Sequence, residues 1–275
     1  MPSFHLKQFQ QQLNQLLLAF SLPKEFHAQL TALFERYEQP GYRYSREVKA
    51  LPEPAYHLPG AMLEEIQIPL AELARNRPRP ALLLAQECWQ DDHYEIKWVA
   101  ALVLGQAPLF DISLLTEAIN AMLAHAPESE HLLLLFLSGV RRLRDERFDV
   151  WTDMIAGWLG QAETCDRGLY ALLSVVEAGN TAHLPTVFRL LEKPLVDAEA
   201  DMRPILQRVV TALTQASLPE TTHFLYEVGI NFYAEERLRF FRSLYRSMPR
   251  EQRAFIAQGF RRGVTLLEDE QGVEE

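Results

Sequence analysis

The sequence predicts an all-α fold of the α-α superhelix type, a solenoid of stacked helical pairs. From about residue 80 onward, apolar stretches of about 10 to 18 residues recur at helical spacing, separated by short breaks rich in Pro, Gly, Asp, Asn or Ser. Almost no segment alternates as a strand does. Successive pairs repeat every 35 to 45 residues or so, close to the period of armadillo and HEAT-like units.

The spacing predicts fourteen helices, over residues 4–20, 23–37, 61–76, 80–89, 92–104, 112–124, 129–143, 148–159, 164–178, 182–192, 199–216, 219–228, 234–246 and 249–260. Three breaks, "SLPKE" at 21–25, "SLPE" at 217–220 and "SMPRE" at 247–251, combine a capping serine, a first-turn proline and an acid. The helix over 92–104 is apolar on two faces, so we expect it to be sandwiched between others.

We expect one domain in three segments. Residues 1–59 form an N-terminal helical extension and a connector, 60–263 form the solenoid, and 264–275 form an acidic, frayed tail. The connector over 37–60 is rich in proline, but its four tyrosines indicate an ordered segment.

Composition predicts a soluble, cytoplasmic protein. The chain of 275 residues is 48% apolar, but no apolar run approaches the roughly 20 residues that span a bilayer, and the start lacks a signal-peptide pattern. Cys88 and Cys165 are the two cysteines, and neither has zinc-ligand or disulfide-framework spacing. We expect two buried, inert thiols.

The stretch "CWQDDHYEIKW", 88–98, crowds cysteine, aspartate, histidine and glutamate together. We interpret it as a capping box, in which Asp92 caps the next helix and Glu95 reaches back to it. A metal site is disfavoured because Cys88 lies on the preceding helix and His93 and Glu95 diverge. Nucleotide-binding and nucleophile-elbow motifs are also missing from the sequence, so we predict no metal and no cofactor.

Positive charge is concentrated near the carboxyl end. The formal net charge is −10, yet residues 235–262 hold eight arginines against three glutamates, a local charge of +5. The arginine strip, as we name it, consists of Arg239, Arg242, Arg246, Arg250 and Arg253. Arg141 and Arg144 belong to a second cluster, "RRLRDER" at 141–147.

Guanidinium groups pair bidentately with carboxylates and phosphates, so we predict that the strip, together with Arg141 and Arg144, binds an acidic protein segment or a nucleic acid backbone. The alternative is a solvated face that keeps the last repeat of a solenoid soluble. We predict no membrane or metal partner.

The stretch "ALLLAQECWQDDHYEIKWVAALVLGQAP", 81–108, resembles a repeat of the DNA alkylation repair family, HEAT-like proteins that include alkylpurine DNA glycosylases. "WTDMIAGWLGQAETCDRGLYALLSVVEAG", 151–179, and "SLPETTHFLYEV", 217–228, extend the resemblance. It implies a concave, basic face that holds duplex DNA, with a Trp, an Asp and an Arg in the cleft of active members.

Of these cleft residues the arginine carries over, at Arg167. The helix that should supply the Trp and Asp reads "EHLLLLFLSGVRRL", 130–143, and contains neither, and the later cleft Trp would fall near Ala212. Arg167 also has a structural interpretation, in which it pairs with Asp166, Glu163 or Asp153.

We therefore predict a non-enzymatic HEAT-like binding or scaffold protein that uses a concave groove and the arginine strip for an extended acidic partner. The alternative is a DNA glycosylase that binds duplex DNA and excises alkylated bases.

Overall fold

The computed structural model describes residues 6–38, 52, 54–126, 129–230 and 238–271, with the backbone alone for residues 6 and 263–271. Within these ranges the chain is helical and contains no strand, which confirms the all-α prediction. Most of the connector, residues 39–51 and 53, lies outside the described residues.

The chain divides into two compact units, Met1–Val150 and Trp151–Glu275. The division falls inside the 60–263 segment for which the sequence predicts one solenoid. The first unit contains α1 (Leu6–Leu18), α2 (Pro23–Tyr37), α3 (Gly60–Asn76), α4 (Pro78–Trp89), α5 (Tyr94–Gln106), α6 (Ile112–Leu123), α7 (Ser129–Leu134) and α8 (Arg141–Glu146). Helix α9 (Phe148–Leu159) crosses the division.

The second unit continues with α10 (Cys165–Glu177), α11 (Leu184–Val196), α12 (Arg203–Ala216), α13 (Leu218–Ile230), α14 (Leu238–Leu244) and α15 (Arg250–Gln271). Helix α15 runs past the predicted end at 260, so the backbone at the start of the predicted acidic tail is helical. Residues 272–275 lie outside the described residues.

Helices pack in a regular order within each unit. In the first unit α1 contacts α3, α2 contacts α4, α3 contacts α5, and α4 contacts α6. In the second unit the same next-but-one pattern joins α10 to α12, α11 to α13, α12 to α14, and α13 to α15. Contact between every second helix therefore recurs along each unit.

Helix α5 is the centre of the first unit. Its residues from Glu95 to Gly105 are almost all buried, and Ile96, Val99 and Val103 have no exposed surface. Helices α3 and α4 and the segment after α7 pack around it. This agrees with the expectation of a sandwiched helix.

The single helix predicted over 129–143 is interrupted. A π-helical turn, Leu135–Gly139, separates α7 from α8. This turn approaches α5 so closely that a Cβ atom on Gly105 would lie 1.9 Å from the carbonyl oxygen of Ser138. Glycine at 105 is therefore required for the contact. The helix crossing of α13 and α15 has the same requirement, since a Cβ on Gly259 would lie 2.4 Å from the Tyr226 carbonyl oxygen.

Among the described helices, none has both the length and the apolar character needed to cross a bilayer.

We predict that Gly105→Ala lowers the free energy of unfolding by about 1 to 3 kcal/mol or more, because the added methyl group meets backbone atoms that cannot swing away. The measurement is urea denaturation followed by circular dichroism. Gly157→Ala in α9 is the matched control, since no atom lies within 4 Å of its Cβ position. We expect that variant to be stabilised by about 0.5 to 1 kcal/mol. Equal stability of the two variants would contradict the close contact.

Candidate functional site

The junction between α4 and α5 is a buried polar cluster in the first unit. Glu95 is 1% exposed, and its carboxylate accepts hydrogen bonds from the backbone N–H of Tyr56, at 3.0 Å, and of Leu58, at 3.4 Å. The backbone N–H of Tyr94 donates to the Pro54 carbonyl at 2.9 Å. The start of α5 thus holds the 54–58 segment against the core.

These contacts correct the predicted capping box. Helix α5 begins at Tyr94, with His93 as its N-cap residue, and Asp92 is exposed. Glu95 does not reach back to Asp92, because its carboxylate is occupied by the 54–58 segment. Asp91 takes the local role instead, since its Oδ1 accepts from the His93 backbone N–H at 2.8 Å.

The Glu95 contacts also stabilise an unfavourable backbone conformation. His57, between the two N–H donors, has a φ of 54°. A non-glycine residue in the left-handed region persists only where its surroundings hold it there. Carboxylate bonds to the N–H groups on both sides of His57 supply that constraint.

Asp91 links two helices through histidines. Its Oδ2 lies 2.7 Å from His27 Nε2 on α2, and its Oδ1 lies 2.9 Å from His93 Nδ1, whose ring stacks on Tyr56 with centroids 4.2 Å apart. Burial alone would raise the pKa of Asp91, but hydrogen bonds from His93 and His27 outweigh it and hold the pKa below its usual value. Burial, helped by nearby carboxylates, raises the pKa of Tyr56 to about 12.

The buried side chain of Lys97 contacts carbonyl oxygens at or just after the carboxyl ends of two helices. The residue is 3% exposed, and its Nζ lies 2.7 Å from the Trp89 carbonyl oxygen at the end of α4 and 3.5 Å from that of His125 after α6. The ammonium also lies 5.4 Å from the centre of the Trp89 ring. Burial lowers the pKa of Lys97, while the charges of Asp92 and Asp91 oppose that shift.

This cluster cross-links the fold. In the described part of the chain, no three His, Cys, Asp or Glu side chains converge as metal ligands. Burial raises the pKa of the Cys88 thiol, which disfavours the reactive thiolate. The described side-chain partner of both His27 and His93 is Asp91.

The arginine strip lies on the surface of the second unit. Helix α14 buries Phe240, Phe241 and Leu244, so its rotation turns Arg239 and Arg242 outward. Two ring contacts anchor it, from Arg203 to Phe240 at 5.5 Å and from Phe241 to Phe260 at 4.9 Å.

The remaining members continue the strip. Arg246 follows in the turn, Arg250 begins α15, and Arg253 lies one helical turn further on; all three are exposed. Among the described residues, no carboxylate forms an ion pair with any of the five arginines. One of them has a partner of another kind, because Arg242 forms a hydrogen bond with the hydroxyl of Tyr245.

The second predicted cluster behaves differently. Arg144 is 5% exposed, and its Nη1 donates to the carbonyls of Phe136, at 3.0 Å, and Leu137, at 3.2 Å. The Arg144 guanidinium provides hydrogen-bond donors for carbonyl groups of the π-helical turn, so it is not available to an external anion. Arg141 is exposed and lies 3.6 Å from Asp145.

Arg167 is half-buried on α10. Asp166 accepts a hydrogen bond from the Arg167 backbone N–H at 2.7 Å, and no described carboxylate pairs with its guanidinium. The structure therefore shows neither the predicted side-chain partners nor a carboxylate held beside this arginine.

Sequence reasoning missed the buried roles of Glu95 and Lys97. A signal was present, because both residues interrupt the apolar helical stripe beside Ile96 and Trp98. A charge at a position that the helix period places inside predicts a buried partner.

We predict that Glu95→Ala lowers the free energy of unfolding by about 2 to 5 kcal/mol, because two buried N–H groups lose their acceptor. Amide hydrogen exchange at Tyr56 and Leu58 should accelerate in the same variant. Asp92→Ala is the control and should change stability by less than about 0.5 kcal/mol. A larger loss of stability in Asp92→Ala than in Glu95→Ala would contradict this account and support the capping-box interpretation.

We predict that the stabilising effect of Asp91 is lost at low pH. Its folded-state pKa is depressed, so its contribution is present above the unfolded-state value of about 3.9 and disappears as pH falls through the lower folded-state value. The difference in unfolding free energy between the native chain and Asp91→Asn should shrink from pH 5 to pH 2. A constant difference would contradict this, and Asp92→Asn is the control.

Comparison with known proteins adds no relative: no protein-family model matches the sequence, and neither a curated protein nor a solved structure matches it. Function is therefore inferred from geometry and charge.

Proposed function

We propose that the protein is a non-enzymatic binding protein whose arginine strip holds an extended acidic segment of a partner protein. The observation that carries the proposal is the state of the five guanidinium groups. They are exposed, and no described carboxylate pairs with them. Some half-exposed arginines of the first unit do have ion-pair partners, such as Arg142 with Glu146 at 2.6 Å and Arg147 with Asp149 at 2.8 Å.

The arginine strip lies in a segment with a large excess of positive charge. Between residues 238 and 262 the chain carries seven arginines and one acid, Glu251. Arg239 and Arg242 lie three apart on α14, as Arg250 and Arg253 do on α15, so each pair shares a helix face. Such pairs offer bidentate donors about one helical turn apart, which suits successive carboxylates of an acidic chain.

One observation favours an acidic protein segment over a single-stranded nucleic acid. Binding of single strands relies on aromatic platforms interleaved with the basic groups. Phe255 is the exposed aromatic on α15, but it lies two residues from Arg253 and stacks on Tyr226, with centroids 4.5 Å apart. Its ring therefore lies off the arginine face.

We propose further that each unit is a short stack of HEAT-like helical pairs. The next-but-one contacts of α10 with α12, and of α11 with α13, support this arrangement, because stacked pairs place alternate helices in separate layers. A concave layer of this kind would give the acidic segment a surface beyond the strip.

We predict that the protein binds a fluorescein-labelled 20-residue polyglutamate at low ionic strength, measured by fluorescence anisotropy. The variant Arg239→Ala/Arg242→Ala/Arg246→Ala should bind at least about 10-fold more weakly, at roughly 0.5 to 1 kcal/mol per lost ion pair. Affinity should also fall steeply with added salt.

The control is Arg36→Ala/Arg75→Ala/Arg79→Ala, which removes three exposed arginines of the first unit and should leave affinity unchanged. Absence of polyglutamate binding, or equal loss in both variants, would refute the proposal. Tighter binding of a 20-base-pair duplex DNA than of polyglutamate would assign the strip to nucleic acid instead.

A further inference from the structure

The first unit carries an apolar surface that the arginine strip does not explain. The leucine face, as we name it, consists of Leu18 at the end of α1, Leu22 in the following turn and Leu83 on α4, which are 83%, 55% and 57% exposed. Large apolar side chains clustered at this exposure are typical of an interaction site.

Two adjoining grooves run through the leucine face. One, of about 510 Å³, lies between α1 and α2 and is lined by Leu18, Leu22 and Leu33. The other, of about 700 Å³, lies between the start of α2 and α4 and is lined by Leu22 and Leu83. Protruding leucines and the grooves that can receive them therefore lie on the same surface.

The charge distribution indicates what can dock there. From Gln8 to Pro23, sixteen consecutive residues carry no charge, in a chain of which 23% is charged. Two copies with a net charge of −10 each repel one another over most of their surfaces. The uncharged face of α1 is a place where they can meet without opposing like charges.

The polar residues around the grooves are complementary to themselves. Gln15 and Gln90 are exposed, and a glutamine amide can both donate to and accept from the same group of a second copy. The first groove carries one base, Arg36, and one acid, Glu25, and the second carries one base, Lys24, and two acids, Glu25 and Glu87. Each groove therefore holds both signs of charge, and in a two-fold pair a base of one copy can face an acid of the other, with the same contact made twice.

We propose that the leucine face is the interface of a symmetric homodimer, in which Leu18 of each copy enters the groove between α1 and α2 of the other. Because the same face carries both the protruding leucine and the groove, two copies related by a two-fold axis fill each other's grooves. No free copy of the face then remains for a third chain.

Sedimentation equilibrium over about 1 to 200 μM tests this proposal. The native chain should be a concentration-dependent dimer. Leu18→Glu buries a charge in the interface, and Ala32→Arg fills the groove without touching the leucines, so each should weaken self-association at least about 100-fold. Both positions are exposed, and circular dichroism should show an unchanged fold.

Ile68→Glu is the matched control, because Ile68 is 74% exposed on α3 and lines neither groove. It should remain a dimer. A native chain that stays monomeric at the highest concentration would overturn the proposal. So would a dimer that survives Leu18→Glu and Ala32→Arg, or one that Ile68→Glu disrupts equally.

Discussion

The first unit depends on a buried carboxylate at the start of a helix that has almost no solvent face. A buried carboxyl group needs hydrogen-bond partners, and the Tyr56 and Leu58 amides donate to that of Glu95. The same bonds hold His57 in the left-handed region and bring the Tyr56 ring onto His93. Lys97, two residues further along α5, donates hydrogen bonds to carbonyl groups at the ends of two other helices. Charged groups inside this unit therefore serve to join segments that are distant in sequence.

The second unit directs its charge outward by a different constraint. Glycine at 259 permits α15 to cross α13 at backbone contact, and Phe241 packs against Phe260 on α15. Because the aromatic face of α14 is buried, the arginines on its other face are exposed to solvent. The exposure of the arginine strip follows from packing on the opposite side of the same helix, so changes in that core would disturb the strip without removing any arginine.

Helical periodicity was enough to predict the all-α class and most helix positions, because apolar spacing and breaks such as "SLPE" act locally. It was not enough at the α4–α5 junction. Asp92 and Glu95 have the spacing of a capping box, but a long-range contact with the 54–58 segment takes Glu95 away, and sequence spacing carries no information about such a contact. The sequence pattern did not predict the π-helical turn after Leu134, which lies where Ser138 packs against Gly105, a contact between segments distant in sequence. The arginine strip was predictable as a charge pattern, whereas the burial of Arg144 depends on the same unforeseen turn.

The central claim is that the five arginines of the strip act together as one binding surface. Side-chain Nε–Hε resonances of the arginines, followed by NMR while polyglutamate is added, test it residue by residue. The account predicts that the resonances of Arg239, Arg242, Arg246, Arg250 and Arg253 shift together and saturate at one concentration, while those of Arg36, Arg75 and Arg79 stay in place. Shifts spread evenly over all exposed arginines, or none within the strip, would contradict it.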